Sequence, residues 1–185
     1  METYAPSDDT YLLADSVSRF RDLSVLEIGI GGGVITEELV RTNRYVVGTD
    51  ISRNAVRQVR DKLEKKSLLG RVDLILADGA TTFIKEAFDL IIFNPPYLPS
   101  ESIRDRAVDG GDDGIGVLVQ WLEEVSSSLK REGEVLFVLS SLSNLDRVQR
   151  SLTGKYDLQV IVRKRLFFEE LLVVKAVSER RDILK

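Results

Sequence analysis

Ser24-Val25-Leu26-Glu27-Ile28-Gly29-Ile30-Gly31-Gly32-Gly33-Val34-Ile35 is the stretch on which the fold turns. Its first five residues are mostly apolar or β-branched and predict a short strand ending at Gly29. Gly31, Gly32 and Gly33 open backbone conformations that other residues rarely adopt. Beyond them Ile35, Leu39 and Val40 recur at helical spacing. The reading is strand, glycine turn, helix. A turn of this kind lets the backbone approach a ligand at a helix N-terminus. The same glycines also read as nothing more than a tight turn.

Working outward, the unit is one of an alternating series. Before it, Ser7-Asp8-Asp9-Thr10 supplies good helix-starting residues, and a helix is expected from Asp8 to Phe20. After it come a strand from Arg44 to Thr49 closed by Asp50, a helix from Ser52 to Lys66 and a strand from Val72 to Leu76 closed by Asp78-Gly79. A fourth strand spans Phe88 to Phe93. Tyr97 to Gly114 is polar and glycine-rich, a long loop of the kind that more often carries function. A helix is expected from Ile115 to Lys130, then a strand from Glu134 to Leu139 after a Glu132-Gly133 turn, and a short helix from Asn144 to Leu152. Strands over Asp157–Val162 and Leu171–Val177 close the series, joined by a basic, aromatic tip from Arg163 to Phe168. Alternating strands and helices predict an α/β fold: a mostly parallel seven-stranded sheet with helices on both faces and an antiparallel last strand. One domain over residues 1–185 is expected, with residues 1–22 packing on it as an N-terminal helical segment.

Composition narrows the chemistry. The chain has 185 residues, 43% hydrophobic and 30% charged, with a net charge of −4. That balance is globular and gives no overall electrostatic drive toward nucleic acid. Without His or Cys, there can be no Ser-His-Asp triad, thiolate nucleophile or zinc-thiolate site. No apolar run nears the ~20 residues that span a bilayer. Met1-Glu2-Thr3-Tyr4 has no signal-peptide character, and a cytoplasmic location is expected.

In open α/β sheets ligands lie at the carboxyl ends of strands. Asp50, Asp78, the glycine turn and Asn94 all fall at such ends. Asn94-Pro95-Pro96-Tyr97 follows the apolar run Leu90-Ile91-Ile92-Phe93. Two prolines stop the strand and fix the direction of the preceding carbonyls. Asn94 adds a carboxamide and Tyr97 a flat face, a set suited to a planar –NH2 group. The bland alternative is a strand ending in a turn.

The glycine turn departs from the dinucleotide pattern G-x-G-x-x-G, which would place glycine where Val34 stands, and no P-loop Gly-Lys-Ser/Thr is present. Glu27 would repel a pyrophosphate but favour an ammonium group. Asp50 suits the two hydroxyls of a ribose, or else serves as an acid at the start of a helix. A nucleoside with a cationic amino-acid end and no phosphate, S-adenosyl-L-methionine, meets these demands.

Glu27–Gly33, Asp50, Asp78 and Asn94-Pro95-Pro96-Tyr97 together resemble the motif series of class I S-adenosylmethionine-dependent methyltransferases, whose fold is Rossmann-like. Pro6-Ser7-Asp8-Asp9-Thr10 and Ala107-Val108-Asp109-Gly110-Gly111-Asp112-Asp113-Gly114 are similar to the opening motif and the Gly-Gly-x-Asp-Gly loop of the HemK-related release-factor glutamine N5-methyltransferases, in their short archaeal and eukaryotic form. Glu27 and Gly31-Gly32-Gly33 stand where that family usually has Asp and Gly-x-Gly-Ser-Gly, and Asp8 replaces a Glu. The resemblance implies methylation of the glutamine amide in the Gly-Gly-Gln loop of a class I release factor, alone or with its GTPase partner. It assigns Asn94, Pro95, Pro96 and Tyr97 to the acceptor amide. It assigns Thr10, Glu27, Gly29, Gly31, Gly33, Asp50, Ile51, Asp78, Gly79 and Asn94 to the cofactor. It also implies a small zinc-binding activator subunit on the edge strand Arg71–Leu76. The loop from Ser100 to Gly114 would close over the substrate or be a plain surface loop. The rival reading is an N-methyltransferase acting on a nucleic-acid base, since adenine-N6 enzymes share Asn-Pro-Pro-Tyr; Arg163 to Phe168 is the one patch that would help it.

Overall fold

In a computed structural model describing residues 6–79, 83–95, 115–143 and 145–179, a seven-stranded sheet lies between two helical layers. The elements in chain order are α1 (Asp8–Val17), β1 (Ser24–Ile28), α2 (Val34–Thr42), β2 (Tyr45–Asp50), α3 (Arg53–Lys65), β3 (Val72–Leu76), β4 (Phe88–Phe93), α4 (Gly116–Val125), β5 (Leu129–Ser140), α5 (Leu145–Ser151), β6 (Tyr156–Arg165) and β7 (Glu170–Ser178). The sheet order is β3-β2-β1-β4-β5-β7-β6, and β7 runs antiparallel to both neighbours.

The strand period of two builds two cores. Leu26 and Ile28 of β1, Ile91 and Phe93 of β4, and Val135 and Phe137 of β5 face α4 and α5, where Leu118, Leu122, Val125 and Val148 are buried. Val25, Leu90, Ile92, Leu136 and Val138 point the other way, into Leu13 and Val17 of α1, Leu39 of α2, and Val59 and Leu63 of α3. Central strands buried on both faces must be apolar throughout, as Leu-Ile-Ile-Phe of β4 is. Glu27 is the exception in β1: it faces the α2 side and is 1% exposed.

Several boundaries differ from the sequence reading. The helix expected to reach Lys130 stops at Val125, and β5 begins at Leu129 rather than Glu134. Leu129 pairs with Phe88, and the amides of Glu86, Ala87 and Phe88 donate to the carbonyls of Ser127 and Ser128, so strand pairing outcompetes the helical pattern. The Glu132-Gly133 turn is absorbed into β5. A Cβ on Gly133 would lie 2.7 Å from Leu129 Cδ1, so glycine leaves the room Leu129 takes. The first helix ends at Val17 instead of Phe20. The basic tip is also shorter than expected: Arg163, Lys164 and Arg165 belong to β6, and the turn closes with Leu166 N–H donating to Glu169 O.

Connectivity fixes where a ligand can enter. From β1 the chain moves outward through β2 to the edge strand β3, then returns to β4 on the other side of β1. At such a switch the connections leave a crevice above the carboxyl ends of the two central strands. Ile28 and Phe93 are partners in register. Gly29 and Asn94 are therefore the first residues beyond two neighbouring strands.

Candidate active site at the carboxyl ends of β1 to β4

The glycine turn is built by backbone geometry. Gly29, Gly31 and Gly33 have φ of 75°, 48° and 69°, in the left-handed region that favours glycine. The amides of Gly29 and Ile30 both donate to the carbonyl of Thr49 at 2.8 and 3.0 Å, tying the turn to the end of β2. Gly33 immediately precedes α2, and a Cβ there would lie 2.6 Å from Cγ2 of buried Val59 on α3. A Cβ on Gly29 would meet nothing within 4 Å, so open space lies over this part of the turn.

Beneath the turn sits Glu27. Burial raises its carboxyl to about 8, and the nearby Asp50 adds to the shift, while Lys62 opposes it. The Thr36 hydroxyl also opposes it, yet Thr36 Oγ1 meets no partner at hydrogen-bonding geometry among the described residues. Glu27 Oε2 is buried without a partner among the described residues as well. A buried acid left with an orphan oxygen favours a cation placed against it.

Asp50 closes β2 and bridges two neighbouring elements. Its Oδ2 accepts from Gly31 N–H at 2.9 Å and its Oδ1 from Ser52 N–H at 2.7 Å, so it orders the glycine turn and the entry to α3 together. A carboxylate oxygen has two lone pairs, and each retains capacity for a second donor. Ser52 caps α3, with its side chain accepting from Ala55 N–H. Ile51, beside Asp50, is an exposed large apolar side chain on this rim.

Asp78 is exposed in the segment after β3, and Gly79 follows it with φ 64°. A Cβ on Gly79 would lie 2.8 Å from Glu124 Oε2 and 3.7 Å from Trp121 Nε1, so α4 borders the rim here. Trp121 in turn packs edge-on against Phe93, the last residue of β4.

Asn94 is held from a distant part of the chain. Its Nδ2 donates to Asp9 Oδ2 at 3.0 Å, and Asp9 is 3% exposed in the first turn of α1. Asn94 Oδ1 is buried and has no hydrogen-bond partner among the described residues. Pro95 beside it is buried. Thr10 is 9% exposed; its N–H and hydroxyl both donate to Asp9 Oδ1. Pro96, Tyr97 and the loop from Ser100 to Gly114 lie outside the described residues. Among the described residues no group of His, Cys, Asp and Glu is placed to hold a metal ion.

Residues 25–108 match a family described as a methyltransferase domain. A relative from Methanocaldococcus jannaschii, named provisionally as a protein N5-glutamine methyltransferase, is 30% identical over 184 residues, 95% of this chain and 91% of the relative. The chain belongs to the protein N5-glutamine methyltransferase family. The release factor glutamine methyltransferase of Caulobacter vibrioides is 28% identical over 69% of this chain, which spans half the length of that bacterial protein. Among solved structures, the E. cuniculi Mtq2-Trm112 complex, described as responsible for methylation of the termination factor eRF1, superposes with a TM-score of 0.79 at 26% identity, covering 96% of this chain and 99% of the matched one.

The methyltransferase is thus a class I, S-adenosylmethionine-dependent enzyme. The glycine turn, Asp50, Asp78 and Asn94 stand on four adjacent strand ends. Two residues at this rim carry no signal in the sequence. Asp9 reads in the sequence as a helix-starting residue, and its spacing from Asn94 gives no signal. Lys62 reads as the solvent side of an amphipathic helix, yet its Nζ donates to the carbonyls of Gly32 and Gly33. Strand β3 is the sheet edge, as expected; Ile75 and Leu76 are exposed along it, whereas Val72 is buried. No helix among the described residues is long and apolar enough to cross a membrane.

Proposed function

We propose that this methyltransferase methylates the glutamine side-chain amide of the Gly-Gly-Gln loop of a class I release factor. The observation that carries the reading is the carboxamide of Asn94. Among the described residues its oxygen is buried and unpartnered while its nitrogen is held. A buried carbonyl oxygen costs about 1 to 3 kcal/mol until a donor reaches it. The –NH2 of a carboxamide substrate is such a donor.

S-adenosylmethionine supplies an electrophilic methyl group on a sulfonium sulfur. The chain's own features suit it. Glu27 and the turn at Gly29, Gly31 and Gly33 would hold the cationic amino-acid end, with Thr10 near its carboxylate. Asp50 would take the ribose; Ile51, Asp78 and Gly79 would border the adenine. For the acceptor, Asn94 Oδ1 and the Pro95 carbonyl would take one N–H each, with Pro96 fixing the turn and Tyr97 stacking on the amide plane. Those contacts align the nitrogen with the methyl, which is the proximity contribution to rate. They also stabilise positive charge that grows on nitrogen as the C–N bond forms. The proton can leave to water after that bond is made, so a strong base is not required, which fits a chain without His.

A small activator subunit, zinc-binding in the family resembled here, would add to the open edge of β3, where Ile75 and Leu76 are exposed. The release factor would be met alone or with its GTPase partner. One observation favours the second reading, a nucleic-acid base as acceptor: Phe167 and Phe168 are 91% and 86% exposed beside Arg165.

Single-turnover methylation distinguishes these readings. Labelled methyl should pass to purified release factor and not to tRNA, rRNA or DNA. A release factor with the loop Gln changed to Ala should take up none, and equal labelling of that control would end the substrate assignment. Asn94→Ala should fold and bind cofactor yet lose ~10²- to 10³-fold in rate.

A further inference from the structure

We infer that Asp9 is a positioning residue for catalysis, setting which way the Asn94 carboxamide faces and how strongly its oxygen accepts. The inference rests on the assignment of Asn94 to the acceptor amide. A carboxamide can rotate so that either its oxygen or its nitrogen points at a given neighbour. An ionised carboxylate has only acceptors. With Asp9 Oδ2 3.0 Å from the Asn94 amide, only Nδ2 can face it, and Oδ1 is driven to the opposite side. That is the side on which Oδ1 lies buried without a partner among the described residues.

Asp9 is itself immobilised. It is 3% exposed, and its Oδ1 accepts from Ser7 Oγ and from both the N–H and the hydroxyl of Thr10. The amides at the start of α1 favour its negative charge. A carboxylate pulling on Nδ2–H polarises the amide and makes its oxygen a better acceptor, the cooperativity of linked hydrogen bonds. The same charge lies close to where positive charge grows on the substrate nitrogen. Asp9 acts on the acceptor amide through Asn94.

A merely structural role, anchoring α1 to the end of β4, would give different results. The test is a double-mutant cycle of Asp9→Asn and Asp9→Ala with Asn94→Ala, read by single-turnover methyl transfer, calorimetric cofactor affinity and unfolding temperature. Asp9→Asn should slow transfer about tenfold, the scale of one hydrogen bond, with cofactor affinity within about twofold. In the Asn94→Ala background, Asp9→Ala should cost no more than about twofold further. Losses that multiply, or wild-type transfer by Asp9→Asn, would overturn the inference. If wild type labels no release factor, the substrate reading has failed on its own. The side-chain NH2 signal of Asn94, identified by its loss in Asn94→Ala, then still decides. It should be downfield, slow to exchange and displaced in Asp9→Asn; an undisplaced signal refutes the contact.

Discussion

The ammonium of Lys62 on α3 donates to the carbonyl of Gly33, the residue just before α2, at 3.1 Å, and to that of Gly32 at 3.3 Å. The same nitrogen lies 3.3 Å from Glu37 Oε2. One side chain therefore ties the glycine turn to the helix behind it. Lys62→Met keeps the aliphatic stem and removes the donors. We expect a stability loss of about 1 kcal/mol and cofactor binding weaker by roughly threefold to tenfold. Calorimetry giving wild-type affinity would show that the turn holds its shape without the lysine.

Glu27 should make both stability and cofactor binding depend on pH. Its carboxyl sits at about 8 in the fold against an ordinary 4.5. Between those pH values the folded chain holds a proton that the unfolded chain has released. Stability then falls as pH rises through this window, by up to about 1.4 kcal/mol per pH unit for the one proton. Glu27→Gln should flatten that slope. Binding a cation favours the charged acid, so wild type should release a proton on binding S-adenosylmethionine near pH 7. Titrations in buffers of different ionisation enthalpy would measure it; a buffer-independent enthalpy refutes the ammonium contact.

Two glycines of the turn should fail differently. Gly33→Ala combines left-handed strain with a Cβ 2.6 Å from Val59 Cγ2, a loss of about 2 to 4 kcal/mol. Gly29→Ala carries the strain alone, about 1 to 2 kcal/mol, because open space surrounds its Cβ. That space is where we propose the cofactor's amino-acid end lies, so Gly29→Ala should lose affinity out of proportion to stability. Thermal unfolding and calorimetry on both variants separate the effects. Equal stability losses would mean that Val59 gives way.

Asp50→Ala should weaken S-adenosylmethionine more than tenfold, the scale of a hydrogen bond to a charged acceptor. The carboxylate also accepts from the amides of Gly31 and Ser52. Asp50→Asn keeps one accepting oxygen and should fall between wild type and Asp50→Ala. A folded Asp50→Ala protein with unchanged affinity would remove Asp50 from the ribose.

Local pattern carried much of this architecture. Ser24–Ile28, the positive-φ glycines and Ile35, Leu39 and Val40 contain strand, turn and helix within a few residues, because a turn that only glycine can make leaves little choice. Ser52 announced α3, and its side chain does cap the helix. Leu129 shows where local pattern fails: it fits the buried face of α4 by spacing, but pairing with Phe88 draws it into β5. Strand pairing is nonlocal, and periodicity in one segment cannot register it.

The candidate site divides in the same way. Glu27, Asp50 and Asn94 were legible because each lies at or next to the last residue of a strand, and a parallel sheet brings those ends to one rim by its connectivity alone. What the sequence by itself determined was which groups stand there. Only the tertiary structure decided their state. Asp9 and Asn94 are 85 residues apart in the chain, and packing α1 beside the sheet makes them partners. Glu27 is an ordinary acid in the sequence. Enclosure beneath the turn, which removes the water that would stabilise its charge, is what raises its proton affinity.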